Sequence, residues 1–277
     1  MFERAGTIYL GPVETPGDVE AQPVDGQGRR RAALRAEVWL VLGVSLGASA
    51  VYAAVSLAAK LTAGRPLAEQ TATMNTSQAP GRPWLDLTYQ LLGILFAVVP
   101  ALLAVHLLGR DPGGARRILG LDLRRPAFDL ASGAGLAALI GIPGLGLYVL
   151  AKAADLNTTV VAAALPPVWW AVPVLVLAAV QNAVLEEVVV VGYLMTRLRE
   201  ISMRTGMVVA TSALLRGSYH LYQGFGAFVG NVIMGVVFAL IFLRTRRVLP
   251  LIVAHTILDI VSFVGYALLH DRLGFLS

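Results

Sequence analysis

The chain contains no cysteine. That excludes a disulfide framework, a thiolate nucleophile and a cysteine-ligated zinc site. Charge is scarce too. Only 14% of the 277 residues are charged, against 57% hydrophobic. With a mean hydropathy of +0.71, this composition excludes an ordinary soluble domain and indicates an integral membrane protein. The apolar runs are long and unbroken, which fits helices better than the alternating strands of a barrel. No repeat of fixed period and no low-complexity tract is present. The net charge of +5 comes from arginines in short loops between apolar runs, where it reports topology rather than nucleic-acid binding.

Seven apolar segments remain, at about 36–61, 85–108, 128–152, 168–196, 206–223, 226–243 and 248–269. A spanning helix needs about 20 apolar residues, so the expected fold is all-α: a polytopic transmembrane bundle of about seven helices. Pro143-Gly144 in the third segment is a candidate kink. Residues 1–34, polar and ending in Arg29-Arg30-Arg31, are expected to be a disordered cytoplasmic tail without the apolar run of a signal peptide. Residues 35–160 form the N-terminal transmembrane helices, and 271–277 a C-terminal tail. Trp84, Trp169 and Trp170 are expected in the interfacial aromatic belt.

Basic residues concentrate in alternate loops: before the first segment, at 110–125, at 197–204 and at 244–247. The positive-inside rule then puts the N-terminus in the cytoplasm of a multi-pass plasma-membrane protein, with the lipid bilayer as its partner.

The fourth segment carries two adjacent glutamates, Glu186 and Glu187, within VLEEVVVVG. One carboxylate at the bilayer centre costs roughly 2.5–3.5 kcal/mol on insertion scales, so a pair marks function and needs partners. The later segments supply Arg216, His220, His255 and Asp259. Arg216 and His220 share one helix face, as do His255 and Asp259, each pair being four residues apart. On an ideal helix Glu186 and Glu187 diverge, so only one is expected to face a given point. At 1.5 Å per residue, Glu186 and Arg216 lie roughly 15 Å from the basic end, His220 about 21 Å and His255 about 10 Å, depths that allow one shared cavity. Gln181 and Asn182, one turn earlier, are candidate supporting donors. Asn231 reads as packing glue, and no spacing supports Ser212 or Ser218 as a nucleophile.

These motifs, E186-E187-V-V-V-V191-G192, R216-G-S-Y-H220 and H255-T-I-L-D259, resemble those of the CAAX-protease and bacteriocin-processing family of intramembrane proteases: Glu-Glu-x-x-x-Arg, Phe-x-x-x-His and His-x-x-x-Asn/Asp. Order and spacing match, as do Gly192 and the basic turn and proline before the third motif. Two positions depart from the pattern. Val191 stands where the family has Arg, and Arg216 where it has Phe. Arg216 is therefore expected to pair with Glu187 or Glu186 in place of the missing arginine.

The resemblance implies a protease-like core over residues 161–270, a buried polar site between the fourth, fifth and seventh helices, and hydrolysis of a peptide or membrane-protein substrate by activated water. Glu186 and His220 would hold that water, and His255 and Asp259 would stabilise the oxyanion. Glu187 completes the catalytic set, with Arg216 and Asn182 supporting it. The resemblance implies either no cofactor or a zinc ion held by Glu186, His220 and His255. Two other readings stay open: an inactive scaffold or immunity protein that has lost the arginine at 191, and an ion-coupled transporter.

Overall fold

A computed structural model describes residues 24–270 of the protein. Its helices are α1 (Val24–Gly43), α2 (Leu46–Leu61), α3 (Pro83–Gly109), α4 (Gly114–Leu119), α5 (Pro126–Ala153), α6 (Ala171–Glu186), α7 (Leu194–Glu200), α8 (Thr205–Ser218), α9 (Phe225–Thr245) and α10 (Leu249–Leu269). A π-helical segment, Glu187–Tyr193, joins α6 to α7 without a break.

This is a polytopic helical bundle. Five helical stretches are long and apolar enough to cross a membrane: α3, α5, the α6–α7 composite, α9 and α10. A sixth is the bent pair α1–α2, which turns by 53°. The expected count of seven falls short at the fifth apolar segment. There α8 has 14 residues, or about 21 Å of helix against a hydrocarbon core of about 30 Å. The bend between α1 and α2 has a local cause. Ser45 donates its hydroxyl to the Val41 carbonyl, and a Cβ on Gly47 would lie 2.7 Å from the Leu42 carbonyl oxygen. Gly and Ser pairs are among the usual sites of such breaks. By contrast, α5 runs unbroken through Pro143.

Two further expectations need correction. Residues 24–34 are helical, not tail, because Arg30 to Arg35 is a run of good helix formers that leads straight into the apolar segment. Residues 1–23 and 271–277, the rest of both expected tails, lie outside the described residues. Trp170 is buried and so leaves the aromatic belt, whereas Trp84 and Trp169 are exposed and meet edge-on, 6.4 Å apart.

The loops alternate between two ends. At one end, segments 62–82 and 154–170 pair through a short parallel ladder, β1 (Thr71–Thr73) with β2 (Thr159–Val161). The turn after α8 joins them: Lys60 donates to the Tyr222 carbonyl, and the Thr158 amide donates to the Gln223 carbonyl. So α8, although short, still reaches the cap.

The basic end is closed by two buried arginines. Arg197 bridges Glu37, Asp111 and Glu200. Arg247 forks onto Asp129 and also reaches Asp122. Between the two ends lies one apolar core that includes Val188 to Val191, Tyr193, Phe238 and Leu251.

Candidate active site

The site gathers at mid-depth from α6, α8 and α10. Glu186 ends the α-helical part of its span, and Glu187 begins the π-helical part. The Leu194 amide donates to the Val189 carbonyl, an i to i+5 bond. Side chains support the wider turn: Ser212 donates to the Val190 carbonyl at 2.9 Å and Thr196 to the Gly192 carbonyl at 2.6 Å. The Ser212 hydroxyl is thereby engaged.

A π-bulge winds less per residue than an α-helix and occurs often at functional sites. Here both glutamates reach a single partner, against the expectation that only one would face a given point. Arg216 donates through Nη1 to Glu186 Oε2 at 3.2 Å and through Nη2 to Glu187 Oε1 at 2.6 Å. Its guanidinium is fully buried and lies 5.4 Å from the centre of the Phe238 ring on α9. Val191, the position of the family arginine, is buried in the apolar core instead.

The close approach of α8 to α9 sets where Arg216 stands. A Cβ on Gly217 would lie 2.9 Å from the Phe228 carbonyl oxygen, and one on Gly235 would lie 2.8 Å from Ala213 Cα. Small residues at such crossings let membrane helices pack backbone to backbone.

His255 completes the inner arrangement. Its Nδ1 is 2.7 Å from Glu187 Oε1. Its Nε2 faces Glu186 Oε2 at 3.9 Å and Asp259 Oδ1 at 3.7 Å. His220 Nε2 also lies 3.9 Å from Glu186 Oε2, and neither ring nitrogen of His220 has a hydrogen-bond partner among the described residues. Asn182 donates to Asp259 Oδ2 at 3.3 Å. Asn231 bonds within its own helix, to the Ala227 carbonyl.

Sequence reasoning missed Tyr219. Its hydroxyl donates to Glu186 Oε2 at 2.7 Å, and its ring packs against His220, 4.9 Å between centres. A signal was present: Tyr219 follows Arg216 by three residues and so shares its helix face. Burial pushes up the phenol of Tyr222, in the turn beyond.

Three side chains have donor atoms within 4.8 Å of one another: Glu186, Glu187 and His255. The set has Glu187 where His220 was expected. As ligand types these residues suit a divalent ion, but their surroundings do not. Glu187 Oε1 already serves two donors, and the Arg216 cation sits on both carboxylates. A second cation on the same oxygens would meet strong like-charge repulsion in a poorly screened site.

Residues 168–261 match the family model for type II CAAX prenyl endopeptidases of the Rce1-like kind. The matched stretch contains all three motifs and every residue of the site described above. It agrees with the resemblance carried by those motifs and supports endopeptidase activity as the general class. No curated protein and no solved structure matches the chain.

Proposed function

We propose that the protein is an intramembrane endopeptidase that hydrolyses a peptide or membrane-protein substrate through water activated by Glu186 and His220. The observation that carries this reading is the convergence on Glu186 Oε2. Arg216 and Tyr219 donate to that oxygen, and both imidazole Nε2 atoms lie 3.9 Å from it. All four contacts fall on Oε2, which leaves Oε1 to take a proton from water. The hydroxide so formed adds to the scissile carbonyl, and Glu186 returns the proton to the leaving amine. Glu187 is a positioning residue: it fixes His255 through Nδ1 and so aims Nε2 at the developing oxyanion. Asp259 lies 3.7 Å from that Nε2 and is itself held by Asn182. Arg216 does the work of the arginine absent at 191 by neutralising the paired acids. The reaction proceeds without a metal, since Arg216 already supplies the positive charge.

The localisation follows from the same reading. The protein spans the plasma membrane with its basic end in the cytoplasm, in contact with lipid and with no nucleic-acid partner.

The test is cleavage of a broad peptide library by the purified protein in detergent, with and without a chelator. Glu186→Gln is expected to lower the rate by about 10²–10⁴-fold, the range for loss of a general base. His220→Ala is expected to lower it too, and the chelator to leave the wild type unchanged. No cleavage by folded wild type would overturn the proposal. Inhibition by the chelator would overturn its metal-free part.

A further inference from the structure

The basic end of the bundle holds a second site, remote from the glutamates. A cavity of about 830 Å³ opens between α4, the loop leading to α5 and the turn from α9 to α10. Arg116, Arg117, Arg124, Arg125, Arg246 and Arg247 line it. A second cavity of about 550 Å³ adjoins it and shares Gly113, Arg117 and Arg246.

The acids nearby are taken. Asp122, the single acid lining the larger cavity, accepts from Arg247 at 2.9 Å. Asp111 and Glu200, which line the smaller one, are bound to Arg197. Among the described residues, Arg116, Arg117, Arg125 and Arg246 have no carboxylate partner.

Simple topology signalling explains arginines in loops. It does not explain their arrangement here. Arg246 caps α9 in the left-handed conformation, φ 56° and ψ 33°. Glycine or asparagine normally occupies such a position, so an arginine there sits against backbone preference. Its neighbour Gly120 is also left-handed, and a Cβ at that position would lie 2.6 Å from the Arg246 carbonyl oxygen. That close approach, with the Val248 amide donating to the Leu119 carbonyl, holds α4 against the α9–α10 turn and builds the cavity wall. Burial first, and then the nearby Arg199, push the Arg246 side chain below its ordinary value.

Leu123 adds a second chemistry. It projects from the loop between Asp122 and Arg124, 86% exposed. An exposed leucine in the same loop as Arg125, which lines the cavity, suits a ligand with a phosphate and an acyl chain.

We propose that this groove binds the phosphate of an anionic phospholipid headgroup, with Arg117 and Arg246 as its main donors and Leu123 against the acyl chain. Arginine suits this role because its planar fork matches phosphate oxygens. The likeness of chemistry to a free phosphate ion is resolved by the test.

Purified protein in neutral detergent is titrated with short-chain phosphatidylglycerol, with phosphatidylcholine and with inorganic phosphate. Phosphatidylglycerol is expected to bind saturably. Its affinity should fall about tenfold or more in Arg246→Gly and in Arg117→Ala, the scale of one lost charge-assisted contact. Arg246→Gly suits its backbone conformation, so its melting temperature should hold and the loss will report binding. Arg204→Ala, at the same end but outside the groove, should bind like wild type. Leu123→Ser should weaken phosphatidylglycerol and leave inorganic phosphate unaffected. Equal affinity for inorganic phosphate would make the ligand a free ion and overturn the lipid assignment. Equal weakening by Arg204→Ala, or none by Arg246→Gly, would reduce the groove to diffuse positive charge and overturn the site.

Discussion

Glu186 and Glu187 put two negative charges where little water reaches, and one guanidinium faces both at 3.2 and 2.6 Å. Removing one member of a buried ion pair leaves the other charge uncompensated, at a cost of about 3–5 kcal/mol. Arg216→Ala is therefore expected to destabilise the protein on that scale and to abolish activity. Val191→Arg made alone should also destabilise, because it adds a second cation to an apolar core that already holds Arg216. Combined with Arg216→Ala it should restore part of the stability and of the activity, since the emptied volume and the exposed acids then meet the new side chain. Thermal melting and peptide cleavage across the four proteins test this. A double variant no better than Arg216→Ala would show that the two positions do not address the same carboxylates. The pairing was legible in the sequence because two departures from one motif set compensate: position 191 lacks the arginine and position 216 gains one. Tyr219 was legible only through its three-residue spacing from Arg216, because a tyrosine beside a histidine carries no mark of burial of its own.

Helices and their crossings decide whether these side chains meet. Seven apolar runs were readable because bilayer thickness writes length and hydropathy into the chain. The π-helical turn at Glu187–Tyr193 was not readable. It depends on Ser212 from another helix satisfying the Val190 carbonyl, a tertiary contact with no local signature. The break at Ser45–Gly47 was hidden because apolar composition continues through it. The crossing of α8 with α9 is the element-scale feature with the clearest consequence. Gly217 lies between Arg216 and His220 in sequence, and a methyl group there would meet the Phe228 carbonyl at 2.9 Å and Val232 Cγ2 at 2.5 Å. Gly217→Ala is expected to cost about 1–3 kcal/mol, the usual scale of overpacking. Activity should fall further than stability alone explains, because α8 carries Arg216 and leads directly into His220. Melting temperature and cleavage rate measured together test this. Full activity in a folded Gly217→Ala protein would show that the separation of α8 and α9 does not position the site.

Among the described residues, the buried charged side chains fall at three levels: Asp86 near the hydrogen-bonded cap, the acid–histidine site with Arg216 at mid-depth, and the arginine clamps at the other end. The basic end ties distant parts of the chain together, with Arg247 joining the α9–α10 turn to the start of α5 and to the α4–α5 loop. Asp122 lies in that loop, and the hydrogen bond from Arg247 holds its carboxyl below the usual range. A carboxyl more acidic in the folded chain than in the unfolded one stabilises the fold above its unfolded value, about 3.9. That contribution fades as pH falls through the lower folded value. Wild type should therefore melt higher than Asp122→Asn near neutral pH, and the gap should close as the pH drops below about 4. Added salt should narrow the gap as well, because the pair is partly open to solvent. Arg247 also forks onto Asp129 at 2.7 and 2.8 Å, a contact the substitution does not touch, so the comparison isolates the loop. A gap that persists unchanged into acid would assign the Asp122 contribution to the hydrogen bond that its carboxyl accepts from the Arg124 amide or to loop shape, and would leave the Arg247 pairing without weight in stability.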